Sequence, residues 1–236
     1  MARRALASQA ASTTRSSLAA IPGLVLALAG PAAVAFASRR ATTFAPAFLV
    51  HALSLACIVL IALVVLALAH SREGLPLRRL GFGRAGWSSM AIGVALAVFF
   101  IVVFGPLAYW AVKQLNIATF DEGLSRLAML PTWYLVLTIV IVAPAEELLY
   151  RAYAIESLSA MTGSFGIAGA ISLLAFAAAH VPMWGWGPAL TTLLSGGTAT
   201  LVYVWRRDVV ALIIAHIAAD LYGIVIAPYA AGKLIT

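Results

Sequence analysis

Seven stretches of roughly twenty mostly apolar residues limit how this chain can fold more than any other feature. They lie at about 18–38, 45–69, 88–112, 132–158, 164–181, 187–205 and 208–229. A hydrocarbon layer about 30 Å thick is crossed by a helix of about 20 such residues. Composition removes the alternatives. The 236 residues are 64% hydrophobic and 10% charged, where a soluble domain has about 45–50% apolar and about 25% charged residues. Too few polar groups are present to cover a globule in water. The expected fold is therefore all-α: a polytopic transmembrane helix bundle of about seven or eight spans around an intramembrane polar cavity. The lone cysteine, Cys57, has no partner for an intramolecular bridge and reads as a small buried hydrophobe.

The connectors hold the charges. Arg39 and Arg40 separate the first two stretches, and 71–87 is a basic loop. The segment 113–131 is mixed and polar and suits a short interfacial helix. Arg206 and Arg207 mark a tight turn, and Asp208 suits the N-cap of the last helix. The net charge of +7 fits membrane topology and anionic headgroups better than nucleic acid, because the arginines flank apolar segments. With the N-terminus inside, the inner segments hold ten of the 15 lysines and arginines. That orientation is expected, in a bacterial-type cytoplasmic membrane. Trp110, Trp133, Tyr134, Trp184, Trp186 and Trp205 fall near span ends, as an aromatic belt would. Residues 1–37 have the basic start, apolar stretch and Ala35-Phe36-Ala37 of a secretory signal, and the acid-free start also resembles a transit peptide. The apolar stretch exceeds the about 7–15 residues of a signal core, which favours an uncleaved first helix.

An ionised side chain at mid-bilayer costs about 2.5–3.5 kcal/mol on insertion scales. The chain nevertheless places Glu146, Glu147, Arg151, His180, His216 and Asp220 inside its apolar stretches. Such residues point to a functional site by default. His51 and His70 stand apart and read as packing or interface histidines. Glu147 and Arg151 are four residues apart and share a helix face, whereas Glu146 points about 140° away from Arg151. One carboxylate is thus neutralised and the other is free. His180 follows Phe176 by four residues, and Asp220 follows His216 by four. At about 1.5 Å rise per residue all of these groups lie at heights that one cavity can gather.

Glu, His, His and Asp together suit hydrolysis. A carboxylate in a cavity of low dielectric makes a general base, a histidine beside it holds the water, and a second histidine stabilises an oxyanion. The same donors also suit zinc, with Glu146, His180 and His216 as ligands and water in the fourth position. Buried glutamate and histidine serve proton relays in transporters too, but no inverted repeat or pair of broken helices accompanies them. Ser195-Gly196-Gly197 reads as close helix packing.

At these residues the sequence resembles the CAAX-prenyl-protease and bacteriocin-processing family, also called CPBP or ABI. The motifs are EExxxR at Glu146–Arg151, FxxxH at Phe176–His180 and HxxxN/D at His216–Asp220. All three occur in order within 132–229. The resemblance implies an intramembrane endopeptidase that cleaves a peptide bond of prenylated or other membrane-associated substrates. It implies that Glu146 activates water, His180 positions it, Glu147 pairs with Arg151, and His216 and Asp220 line the oxyanion side. Aspartate departs from the frequent asparagine at that last position, and a carboxylate there repels an oxyanion unless protonated. The runner-up reading is a catalytically inactive member that acts as a bacteriocin-immunity or membrane binding protein. The expected organisation is a basic segment at 1–17, membrane helices and loops over 18–131, a catalytic core at 132–229 and a tail at 230–236.

Overall fold

The computed structural model describes residues 2–232, with side chains from Leu18 onward. The basic segment 1–17, apart from its backbone after Met1, and the end of the tail, 233–236, lie outside the described residues.

Eight helices account for nearly all of the described chain. They are α1 (Ala2–Ala41), α2 (Ala47–Ser71), α3 (Trp87–Gln114), the short α4 (Asp121–Leu127), α5 (Thr132–Thr162), α6 (Phe165–Trp184), α7 (Trp186–Arg206) and α8 (Val209–Ala230). Six are long and apolar enough to cross a membrane: α2, α3, α5, α6, α8 and the Leu18–Ala41 part of α1. This is a multi-pass integral membrane protein. Large apolar side chains such as Leu60, Leu63, Val102 and Leu174 stand on its outer surface, a display that lipid tolerates and water does not.

Among the described residues six helices, where about seven were expected, meet the length and apolarity of a span. The expected span at 187–205 does form a helix, α7, which runs back along α6 after a sharp turn at Gly185. Thr191, Thr192, Ser195, Thr198 and Thr200 together with Gly196 and Gly197 dilute its apolar character. The polar segment 113–131 contains the expected short helix, α4.

Helix α5 is the axis of the fold. Every residue from Glu147 to Tyr153 is buried, and α1, α2, α6 and α8 pack around this stretch. Pro144 lies inside α5 and has no N–H to donate, so the regular ladder is broken there. The chain answers by widening into a π-helical turn over Glu147–Tyr153. Ser172 of α6 donates its hydroxyl to the carbonyl of Tyr150 within that turn. Two further π segments occur, Phe99–Phe104 in α3 and Leu221–Ile226 in α8.

The helix ends follow the sequence. Asp208 caps α8 by accepting from the Ala211 amide at 3.1 Å, and it also accepts from Ser89 of α3 at 2.8 Å. Ser164 caps α6 through the Ile167 amide. At one end of the bundle Glu156 receives two hydrogen bonds from Arg207, at 2.6 and 2.8 Å, and one from Tyr203. Glu73 accepts from Tyr153 and Ser157 nearby. Two side-chain expectations are corrected. Cys57 is exposed on the outer face of α2 rather than buried. Tyr134 is buried and packs against Phe48 instead of standing in a belt, whereas Trp110, Trp133, Trp186 and Trp205 are exposed.

Candidate active site

The six residues singled out in the sequence come from α5, α6 and α8, and the structure brings them together around the ring of Phe176. The guanidinium of Arg151 lies 3.9 Å from that ring's centroid. The rings of His180, Tyr150 and His216 approach it edge-on at 4.6, 5.1 and 6.4 Å. A buried aromatic thus forms the floor on which the polar groups are arranged. Helix α7 can come this close because position 196 is glycine. A Cβ there would stand 3.0 Å from Phe176 and 3.1 Å from Arg151.

The two adjacent glutamates have different surroundings. Glu147 is almost fully buried, and its Oε1 accepts from Arg151 Nη1 at 3.1 Å and from His216 Nδ1 at 2.9 Å. The pairing of Glu147 with Arg151 is therefore present, although the helix there is π rather than α. Bonding to a carboxylate places a hydrogen on Nδ1 of His216 and turns Nε2 toward the other acids. Nε2 lies 3.4 Å from Asp220 Oδ2 and 3.8 Å from Glu146 Oε2. Glu146 is part-exposed, and that last separation exceeds hydrogen-bond range. It interacts electrostatically with His180, His216 and Asp220. His180 turns Nδ1 onto the Phe176 carbonyl at 2.8 Å, which leaves Nε2 to face the cavity side.

Two cavities meet at this cluster. The larger, about 440 Å³, is lined by Glu147, Arg151, His180, His216 and Asp220 and walled by Phe100, Phe104 and Ser195. All three π segments contribute to its wall, through Phe100, Arg151 and Ile224. The smaller, about 210 Å³, is lined by Glu146, His51, Ser54, Tyr134 and Thr138. His180 and Asp220 border both. The expectation of one cavity facing all four catalytic groups is thus corrected, because Glu146 borders the smaller space. The step of about 100° between adjacent helix positions turns the two glutamates toward different neighbours.

The donor set does not fit zinc. Among the described residues no three of His, Cys, Asp and Glu come together to hold a metal ion. The Nδ1 bonds of His216 to Glu147 and of His180 to a carbonyl leave both Nε2 atoms free, but these and Glu146 are not gathered to coordination distance: His216 Nε2 lies 3.8 Å from Glu146. Sequence reasoning missed Tyr134, Thr138 and Ser38, since lone hydroxyls in apolar runs carry no spacing signal. It read His51 as a packing residue, and the structure sets that side chain on the smaller cavity.

Residues 128–222 match the family model for the Rce1-like type II CAAX prenyl endopeptidases. This segment is a domain of that family. The matched segment runs from just before α5 into α8 and contains all six clustered residues. No curated protein and no solved structure matches the chain.

Proposed function

We propose that this chain is an intramembrane endopeptidase of the CAAX-protease type, which hydrolyses a peptide bond of a membrane-associated, including prenylated, substrate with a glutamate-activated water. One observation carries the reading: of two adjacent glutamates, one is tied to Arg151 and His216 and the other is left free beside two histidines. Glu146 is the base. It takes a proton from water as the water oxygen bonds to the scissile carbonyl carbon and the carbonyl π pair moves onto oxygen. When the tetrahedral intermediate collapses, the C–N bond breaks and the leaving amine takes the proton from Glu146. His180 positions the water. Glu147 and Arg151 hold the His216 ring, whose Nε2 faces the reacting centre beside Asp220. Asp220 favours the oxyanion only when protonated, so its role is to orient water or His216. The aromatic wall of the larger cavity suits an apolar substrate segment, and 132–229 forms the catalytic core.

The test is cleavage of a prenylated CAAX peptide and of membrane-extract proteins, with and without chelator. The wild type should cut, with or without chelator, and Glu146→Gln should fold but not cut. If Glu146→Gln cuts at the wild-type rate while Glu147→Gln is stable and inactive, the two carboxylates are reversed. No cutting by the wild type would favour the inactive, immunity- or binding-type reading.

Orientation follows from the basic residues. The N-terminus and the 71–87 loop should face the cytosol. A cysteine introduced after residue 80, in a Cys57→Ser background, should be labelled from that side. Labelling only from the opposite side would overturn it.

A further inference from the structure

The smaller cavity has a lining that the peptidase chemistry described above does not use. It runs along one face of α5, past Tyr134, Thr138, Val142 and Glu146. These residues are four apart, so the face extends about 18 Å from Tyr134 to Glu146. Ser38 of α1 and His51 and Ser54 of α2 border it from the other side. The hydroxyls of Ser38, Tyr134 and Thr138 are buried; Ser38's has no protein hydrogen-bond partner, and those of Tyr134 and Thr138, one turn apart, have at most each other. Ser38 and Tyr134 are each only 4% exposed.

Three buried hydroxyls with unmet hydrogen-bonding capacity on one cavity need a common explanation. A buried hydroxyl without a partner costs about 1–3 kcal/mol, and native proteins meet such groups with ordered water. The volume of about 210 Å³ admits several waters at about 30 Å³ each. Most of the lining is apolar, but Ser38, His51, Tyr134, Thr138 and Glu146 offer polar partners along it, and a buried water needs two to four. A prenyl or acyl chain in the same space would leave that capacity and the Glu146 carboxylate unsatisfied. The cavity also reaches Glu146, the carboxylate proposed as the base.

We propose that this cavity is a water conduit that feeds Glu146 from the end of the bundle where Ser38 and Tyr134 lie. The larger cavity receives the substrate, and His180 and Asp220 form the wall between the two. An occupied substrate cavity then does not block resupply of water to the base. The conduit's part in turnover rests on the endopeptidase reading, whereas its hydration does not.

Hydroxyl-radical footprinting of the intact protein in lipid nanodiscs tests hydration without any substrate. Tyr134 should be oxidised severalfold faster than Tyr203, which is fully buried and bonded to Glu156. Equal, low oxidation of the two tyrosines would overturn the proposal. Turnover tests delivery. Thr138→Leu narrows the conduit midway and should lower kcat about tenfold, a barrier increase of about 1.4 kcal/mol, with KM unchanged. Thr138→Val, which keeps the width, should lose much less. If Thr138→Leu leaves kcat unchanged, or raises KM instead, the conduit does not serve Glu146. Should the wild type cleave nothing while Tyr134 is oxidised rapidly, the peptidase reading falls and the hydrated cavity stands.

Discussion

The guanidinium of Arg151 lies flat against Phe176, 3.9 Å from the ring centroid. Phe176 thereby supports a cation that, among the described residues, is ion-paired with Glu147, and its ring lies 4.6 and 6.4 Å from those of His180 and His216. Phe176→Ala should cost about 3–5 kcal/mol through the cavity alone, read as a fall in the thermal unfolding midpoint in detergent. Phe176→Tyr should cost much less, since the ring face remains. A Phe176→Ala protein as stable as the wild type would mean that the ring does not organise the cluster.

Arg151 and Glu147 are both nearly fully buried, so removal of one partner is worse than removal of both. Arg151→Ala should destabilise by about 3–5 kcal/mol and accumulate poorly, because the Glu147 carboxylate then keeps only His216. Arg151→Met combined with Glu147→Leu should recover much of the lost stability without restoring cleavage. Membrane yield and unfolding midpoints of the two single variants and the double variant measure the coupling. Strict additivity would show that the pair is not a unit.

The cluster was legible in the sequence because its members sit four residues apart on helices. That spacing aligns Glu147 with Arg151 and His216 with Asp220 even where α5 widens into a π turn. The π turns themselves were not legible, since Pro144 announces a break but not the form it takes. Nor did spacing along one helix reveal that Glu146 and Glu147 would border different cavities, as that depends on what α1, α2 and α7 place on each side. Helix α7 was legible as a helix, but its threonines and glycines leave it less apolar than the six candidate spans, even though Leu190, Leu194 and Leu201 are exposed on it. The Glu156–Arg207 and Glu73–Tyr153 contacts join residues 51 and 80 apart in sequence, which no local pattern encodes.

Gly196 is the point where α7 touches the cluster. Gly196→Ala places a methyl group 3.0 Å from Phe176 and 3.1 Å from Arg151, both of them buried, so that one of them must give by a few tenths of an ångström. Overpacking of this kind costs about 1–3 kcal/mol. Gly197→Ala meets nothing closer than 3.6 Å and should be nearly neutral, or slightly stabilising through helix propensity. Unfolding midpoints of the two variants, side by side, separate close approach from a general effect of alanine.

The two nitrogens of His216 do separate jobs, and they can be removed one at a time. Nδ1 donates to Glu147 at 2.9 Å, while Nε2 faces Asp220 and Glu146 at 3.4 and 3.8 Å. The amide nitrogen of asparagine occupies about the position of Nδ1, and that of glutamine about the position of Nε2. His216→Asn should therefore keep the bond to Glu147 and hold most of the stability, yet lose cleavage by at least about a hundredfold, the scale of one positioned catalytic group. His216→Gln should leave Glu147 without its second donor and lower stability by about 1–3 kcal/mol, while retaining more activity per folded molecule than His216→Asn. Rates normalised to the folded fraction, set beside unfolding midpoints, give both orders. If the two variants rank the same way in stability and in activity, a single nitrogen carries both functions and the division between brace and reacting centre fails.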